Sequence, residues 1–223
     1  MLDEQTTKSL IKKMFEKQDE LNIHTNNALW TTDENLKWYR AIWTEAAELI
    51  DYTNWKWWKL QDIKIEDIKM ELIDIWHFAL SDMMTITTID NATDNVYMSF
   101  RKNFEKPEKI EPEKIQKATE FLAYHTLRDH RFSLEMFVKL CSTIDMTIET
   151  IYKLYMGKNI LNRFRQNHGY KQKTYIKIWS GLEDNTYLIK FLEETEIDSD
   201  DFENVIYNRL QSTYLNLFPT LKE

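Results

Sequence analysis

Two short carboxylate pairs, set in otherwise apolar sequence, constrain this chain most. Glu45 and Glu48 lie in Trp43-Thr44-Glu45-Ala46-Ala47-Glu48-Leu49-Ile50, and Glu71 and Asp74 in Met70-Glu71-Leu72-Ile73-Asp74-Ile75-Trp76. Each pair is spaced i, i+3, which on a helix puts both side chains on one face about one turn apart. The intervening segment, 51–67, is long enough to end one helix, turn near Trp55 and start a second that runs back beside the first. Four carboxylates then meet between two antiparallel helices. Alone in a partly dry groove, they would raise one another's pKa and destabilise the fold. A hard divalent cation removes that objection, and Mg²⁺ takes its oxygen ligands from a few carboxylates, waters and substrate phosphates. The bland alternative is a solvated helix face, since Asp and Glu make up 37 of 223 residues.

With three glycines and three prolines the chain has little turn chemistry, and it is rich in Leu, Ile, Lys, Glu and Met. This predicts an all-α fold, a bundle of long helices, rather than a sandwich, barrel or doubly wound sheet. The expected organisation is a single domain over 1–223, with 88–127 as an insertion or mobile subdomain. A net charge of -8 argues against a general nucleic-acid coat protein. Cys141 is the only cysteine, which predicts a small core residue and a reducing compartment. The start, Met1-Leu2-Asp3-Glu4-Gln5, has no basic segment followed by an apolar core, and no apolar run approaches a bilayer span. The expectation is a soluble cytoplasmic protein without a membrane or nucleic-acid partner.

Along the chain, a first amphipathic helix is predicted over 7–21, with Leu10, Ile11, Met14, Phe15 and Leu21 on its apolar stripe. Gln18 and Asn22, i, i+4 near its end, are ordinarily surface residues but also suit the edge of a base. Asp33 is the expected cap for the Glu45/Glu48 helix. Trp55, Trp57 and Trp58 cannot all face one core from a single helix, so at least one is expected to line a groove or interface. The second carboxylate helix is predicted over 65–87, burying Ile68, Leu72, Ile75, Ala79 and Met83. Phe78 falls on its carboxylate face one turn after Asp74, and His77 reads as a hydrogen-bonded core histidine rather than a metal ligand. From 88 to 113 the pattern weakens into an expected loop or lid boundary. Helices over 113–127 and 133–145 follow, then one capped by Thr147 that reaches about 167. The tail from 193 is acidic and then amphipathic, with Phe202, Val205, Ile206, Leu210, Leu215 and Phe218 suited to a closing helix.

From 150 to 182 the chain has no Asp or Glu, yet it carries Lys153, Lys158, Arg163, Arg165, Lys171, Lys173 and Lys177. Gly157, Gly169 and Gly181, all the glycines, fall here too, where backbone can approach a ligand closely. Lys158, Asn162 and Arg165 are spaced i, i+4, i+7, giving one helix face two cations and an amide. Such a face is either solvated or a polyanion site. Beside a candidate Mg²⁺ cluster, a triphosphate suits both features.

These residues resemble the dimeric, all-α dUTPases of the all-α NTP pyrophosphatase superfamily. The resemblance rests on Glu45-x-x-Glu48, Trp55-Lys56-Trp57-Trp58-Lys59, Glu71-Leu72-Ile73-Asp74-Ile75-Trp76-His77-Phe78, and Gly157-Lys158-Asn159-Ile160-Leu161-Asn162-Arg163-Phe164-Arg165-Gln166, continued by Gly169-Tyr170-Lys171 and Tyr175-Ile176-Lys177-Ile178-Trp179. It implies Mg²⁺ held by Glu45, Glu48, Glu71 and Asp74, with Glu45 or Glu48 orienting a water and accepting its proton. It further implies phosphate contacts from Lys158, Arg165, Tyr170 and Lys177, and a nucleoside pocket from Gln18, Asn162, Phe78 and Trp57. The implied reaction is hydrolysis of dUTP, and of dUDP, by a homodimer. The rivals are the same chemistry on another nucleotide such as dCTP, and a non-catalytic helical protein with a basic patch.

Overall fold

The computed structural model describes residues 2–196 and 201–219. Parts of the expected tail, 197–200 and 220–223, lie outside those residues. The chain divides into two compact units, Met1–Tyr152 and Lys153–Glu223, and no described helix is long and apolar enough to cross a membrane.

The first unit contains α1 (Glu4–Thr25), a 3-10 turn (Trp30–Thr32), α2 (Trp38–Asp51), α3 (Ile65–Met84), α4 (Ile89–Asn103), α5 (Pro112–Asp129) and α6 (Leu134–Thr143). Its centre is α3, which packs against α1, α2 and α4 and buries Ile68, Leu72, Ile75, Ala79 and Met83 as expected. Trp76 lies wholly inside, stacked on Phe137 at 4.9 Å, with its indole N–H directed at the Met14 sulfur at 3.4 Å. Helix α2 buries Ile42, Ala46 and Leu49, an i, i+4, i+7 stripe, and packs against α3 and α5. The Lys64 N–H donates to the Tyr52 carbonyl at 3.0 Å, closing the 52–64 connection at its base so that α3 runs back along α2. Cys141 is buried, as expected.

Two local expectations are corrected. Asp33 does not cap α2; its carboxylate accepts the Asn35 N–H at 2.9 Å in the preceding turn, and α2 starts later, after Lys37, without a side-chain cap. The segment expected as loop from 88 is helix α4, begun by the Thr88 hydroxyl accepting the Asn91 N–H at 3.3 Å. Ala92, Val96 and Phe100 form its thin buried stripe among the exposed Asp90, Asn91, Asp94 and Asn95. Lys8 and Lys12 of α1 pair with Asp94 and Asp90, both at 2.8 Å. Such solvated pairs contribute little, because water and salt screen them. Burying a Val or Phe contributes about 1.5–3 kcal/mol, so the apolar stripe is what docks α4.

The boundary between the units falls within α7 (Ile148–Asn167), whose start Thr147 caps as expected, accepting the Thr150 N–H at 3.2 Å. The second unit continues with β1 (Ile178–Trp179), β2 (Leu182–Glu183), α8 (Asp184–Glu193) and α9 (Phe202–Leu217). The strands pair antiparallel across Ser180 (φ 47°) and Gly181 (φ 85°), two successive left-handed residues of the kind a two-residue hairpin turn requires. Gly157 serves packing within this unit: a Cβ there would meet a Leu192 methyl of α8 at 2.6 Å. Helix α9 buries Phe202, Ile206, Leu210 and Tyr214, so Tyr214 takes the core position expected of Leu215. The Tyr214 ring lies 5.2–5.5 Å from those of Tyr175, Trp179 and Phe164.

Candidate active site

In the first unit, antiparallel α2 and α3 bring three of the four expected carboxylates together. Ligand oxygens of Glu45, Glu71 and Asp74 all lie within 4.8 Å of one another, partly shielded from solvent. The shielding is strongest at Glu71, which is 9% exposed. Glu48, one turn beyond Glu45, is exposed and stands outside this trio. Three oxygen donors at this spacing, with no sulfur or imidazole among them, fit a hard cation such as Mg²⁺ better than a soft one.

Phe78 is half-buried one turn after Asp74, its ring 6.3 Å from Trp38, which meets Trp30 edge-on at 5.8 Å. Gln18 is buried at 3% exposure and anchored through both ends of its amide. Its Nε2 donates to Asn22 Oδ1 at 3.0 Å, and its Oε1 lies 2.7 Å from His77 Nδ1. Asn22 donates to Ser81 Oγ at 2.9 Å, and Ser81 donates to the His77 carbonyl at 3.0 Å. His77 is therefore the hydrogen-bonded core histidine expected, and Gln18 is no ordinary surface amide. Trp57, by contrast, is 89% exposed on the 52–64 connection, edge-on to Trp58 at 5.4 Å.

In the second unit, Lys158 and Arg165 are not the solvated cations of an ordinary basic face. Lys158 is 2% exposed and donates to Asn185 Oδ1 at 3.0 Å. Arg165 grips Asp184 with two parallel hydrogen bonds, Nε to Oδ2 at 2.8 Å and Nη2 to Oδ1 at 2.7 Å. Its Nη1 donates to Asn162 Oδ1 and its Nη2 to Asn185 Oδ1, both at 3.3 Å. The Tyr175 hydroxyl donates to Asp184 Oδ2 at 2.7 Å. Burial pushes the Asp184 carboxyl up, but hydrogen bonds and charge from Arg165 outweigh it and hold the group below its ordinary value. Burial and the neighbouring Asp184 charge raise the Tyr175 hydroxyl, which stays protonated and able to donate. Tyr170 is largely exposed, its ring 5.9 Å from the Arg165 guanidinium carbon, and Lys177 pairs with Glu183 at 3.1 Å near the surface. Asp184 and Asn185 were not among the expected site residues. The signal for them was the abrupt end of the acid-free stretch at Glu183-Asp184, where α8 begins.

No curated protein matches the chain. A family model described as dUTPase matches residues 10–170, a span that takes in Gln18, Trp57, Phe78, the carboxylate trio and α7 through Tyr170. That match covers well over half of a chain whose described residues are mostly helical, with a single two-stranded hairpin among them. The chain belongs to the all-α dUTPase family, with the dUTP diphosphatase activity of that family.

Proposed function

We propose that the chain performs this reaction as a Mg²⁺-dependent enzyme, hydrolysing dUTP to dUMP and pyrophosphate and also accepting dUDP. The convergence of Glu45, Glu71 and Asp74 within 4.8 Å carries the proposal. These three, joined by Glu48, would hold the ion. When bound, it supplies Lewis acidity, neutralising phosphate oxygens and making a water more acidic.

The chain's own residues do the rest. Glu45 orients the attacking water and accepts its proton, with Glu48 assisting one turn away. Lys158, Arg165 and Lys177 offset the charge that develops on the leaving pyrophosphate, and Tyr170 donates to a phosphate oxygen. A primary amide offers uracil both a donor and an acceptor, the role proposed for Gln18 and Asn162. The anchoring of Gln18 by His77 and Asn22 supports that role, because an amide fixed in rotation discriminates a base edge better than a mobile one. Phe78 and Trp57 would cover the ring or sugar and exclude water. Residues from a second copy would accompany this site in a homodimer working in a reducing cytoplasm, a setting supported by the single, buried Cys141.

Steady-state release of pyrophosphate from dUTP, dCTP and dTTP, and of orthophosphate from dUDP, each with and without Mg²⁺, tests the proposal, with sedimentation of the same sample for the dimer. Mg²⁺-dependent release of pyrophosphate from dUTP and of orthophosphate from dUDP is expected. Preference for dCTP, or turnover in excess chelator, would overturn the substrate or the metal assignment respectively.

A further inference from the structure

Asp184 touches two of the proposed phosphate contacts, Arg165 and Lys177, yet has no part in the function so far. Its carboxylate holds Arg165 through two hydrogen bonds, and its backbone N–H donates to the Lys177 carbonyl at 3.1 Å. Beside it, Asn185 Oδ1 accepts from both Lys158 at 3.0 Å and Arg165 at 3.3 Å, so two cations share one oxygen. The carboxylate is itself fixed by the Tyr175 hydroxyl at 2.7 Å. Asp184 is fully buried, and Lys158 and Arg165 are nearly so, at 2% and 7% exposure.

A buried ion pair is weak evidence of a stabilising role, since well-packed apolar residues of similar volume usually serve stability as well or better. What the pair does supply here is geometry. Two cations meeting at one oxygen repel, and the carboxylate offsets that repulsion while allowing both to remain charged. Its two-point grip fixes the plane and rotation of the guanidinium, which a single contact cannot do.

We propose that Asp184, with Asn185 beside it, is the positioning residue for the cations of α7, holding Lys158 and Arg165 in the arrangement that meets a nucleotide's phosphate chain. This rests on reading Lys158 and Arg165 as phosphate contacts. Asp184 itself touches no substrate; it acts through Arg165, and through its backbone on Lys177.

The test is Asp184→Asn, which keeps size but loses the charge and one acceptor of the grip. With helicity retained by circular dichroism, the KM for dUTP is expected to rise roughly 10- to 100-fold, in line with losses at supporting residues elsewhere. Inhibition by inorganic pyrophosphate should weaken in step, while kcat falls less. Arg165→Ala should then cost much less in the Asp184→Asn background than in the wild type. A purely structural role predicts a lower melting temperature with wild-type KM and pyrophosphate inhibition, and losses that multiply independently; that result overturns the inference. Should Asp184→Asn fail to fold, Asn185→Ala and Tyr175→Phe carry the test, each expected to weaken dUTP and pyrophosphate in the same direction. Unchanged binding in both folded variants overturns it equally. A wild-type chain inert toward dUTP sinks the functional reading and this inference together, whereas an active wild type with an unaffected Asp184→Asn sinks the inference alone.

Discussion

Asp82 and Asp184 are both buried carboxylates that face an arginine, yet their environments drive them in opposite directions. Burial raises Asp82, and the Phe132 N–H at 3.0 Å with a single Arg131 contact at 3.2 Å does not offset it. Burial also raises Asp184, but the two-point Arg165 grip and Tyr175 more than compensate, leaving it lowered. The sign of the linkage follows. Asp184's contribution to stability is fully present above its unfolded value near 3.8 and is lost as pH falls through its lower folded value. Asp82 runs the other way, favouring the folded chain at low pH and losing that contribution as pH rises from 3.8 through its raised folded value. Denaturant titrations should therefore find Asp184→Asn less stable than wild type at neutral pH by about 3 kcal/mol, with the gap closing as pH drops below 3.8. A gap independent of pH would mean that the charge is not what matters there. At the proposed metal centre, Glu45→Gln, Glu48→Gln, Glu71→Gln and Asp74→Asn are each expected to lower kcat/KM for dUTP by at least ~10²-fold. Wild-type turnover at saturating Mg²⁺ in any of them removes that carboxylate from the centre. Glu48 is the most exacting case because it is exposed and lies outside the trio.

Helix α7 carries both the proposed phosphate contacts and a packing contact of the second unit. Gly157 immediately precedes Lys158, and its missing Cβ lets Leu192 of α8 lie against α7. Gly157→Ala places a methyl 2.6 Å from the Leu192 Cδ1, so α7 and α8 must separate or Leu192 must turn away. Overpacking of this kind costs about 1–3 kcal/mol. Thermal unfolding should show the loss, and the KM for dUTP should rise as well, because moving α8 moves Asn185 away from Lys158. A variant with full stability and unchanged KM would mean that Leu192 rotates away freely. The same element shows what a sequence can and cannot disclose. The Thr147 cap, the periodicity of α3 and the i, i+4, i+7 face of Lys158, Asn162 and Arg165 were legible because each is written in local spacing. Helix α4 was not: its stripe of Ala92, Val96 and Phe100 is narrow, and the polar residues around it read as loop. The Arg165–Asp184 grip was hidden for another reason. It joins residues 19 apart through a hairpin whose two-residue strands carry no recognisable alternation.

Across the whole chain, a net charge of -8 coexists with an acid-free stretch over 150–182, and the proposed metal and phosphate contacts fall in different units. The carboxylate trio belongs to the first unit, and the cations of α7 with their supporting Asp184 belong to the second. Such a division gives the ion a thermodynamic signature that needs no substrate. A ligand that binds only the folded state stabilises it by RT ln(1 + [L]/Kd), or about 2.7 kcal/mol at one hundred times Kd. For a chain of this size that amounts to a rise of roughly 5–10 °C in the unfolding midpoint. Calorimetry with increasing Mg²⁺ should show that rise. Because Glu45, Glu71 and Asp74 lie together between α2 and α3, it should appear in the transition that melts those helices. Glu71→Gln should abolish the shift, since it removes one of the three carboxylates that would hold the ion. Asp184→Asn, which leaves all four proposed metal-binding carboxylates in place, should retain the full Mg²⁺ response from its own lower starting midpoint. If Glu71→Gln instead kept a wild-type shift, the ion would bind elsewhere on this acidic surface, and the α2–α3 trio would lose its assigned role.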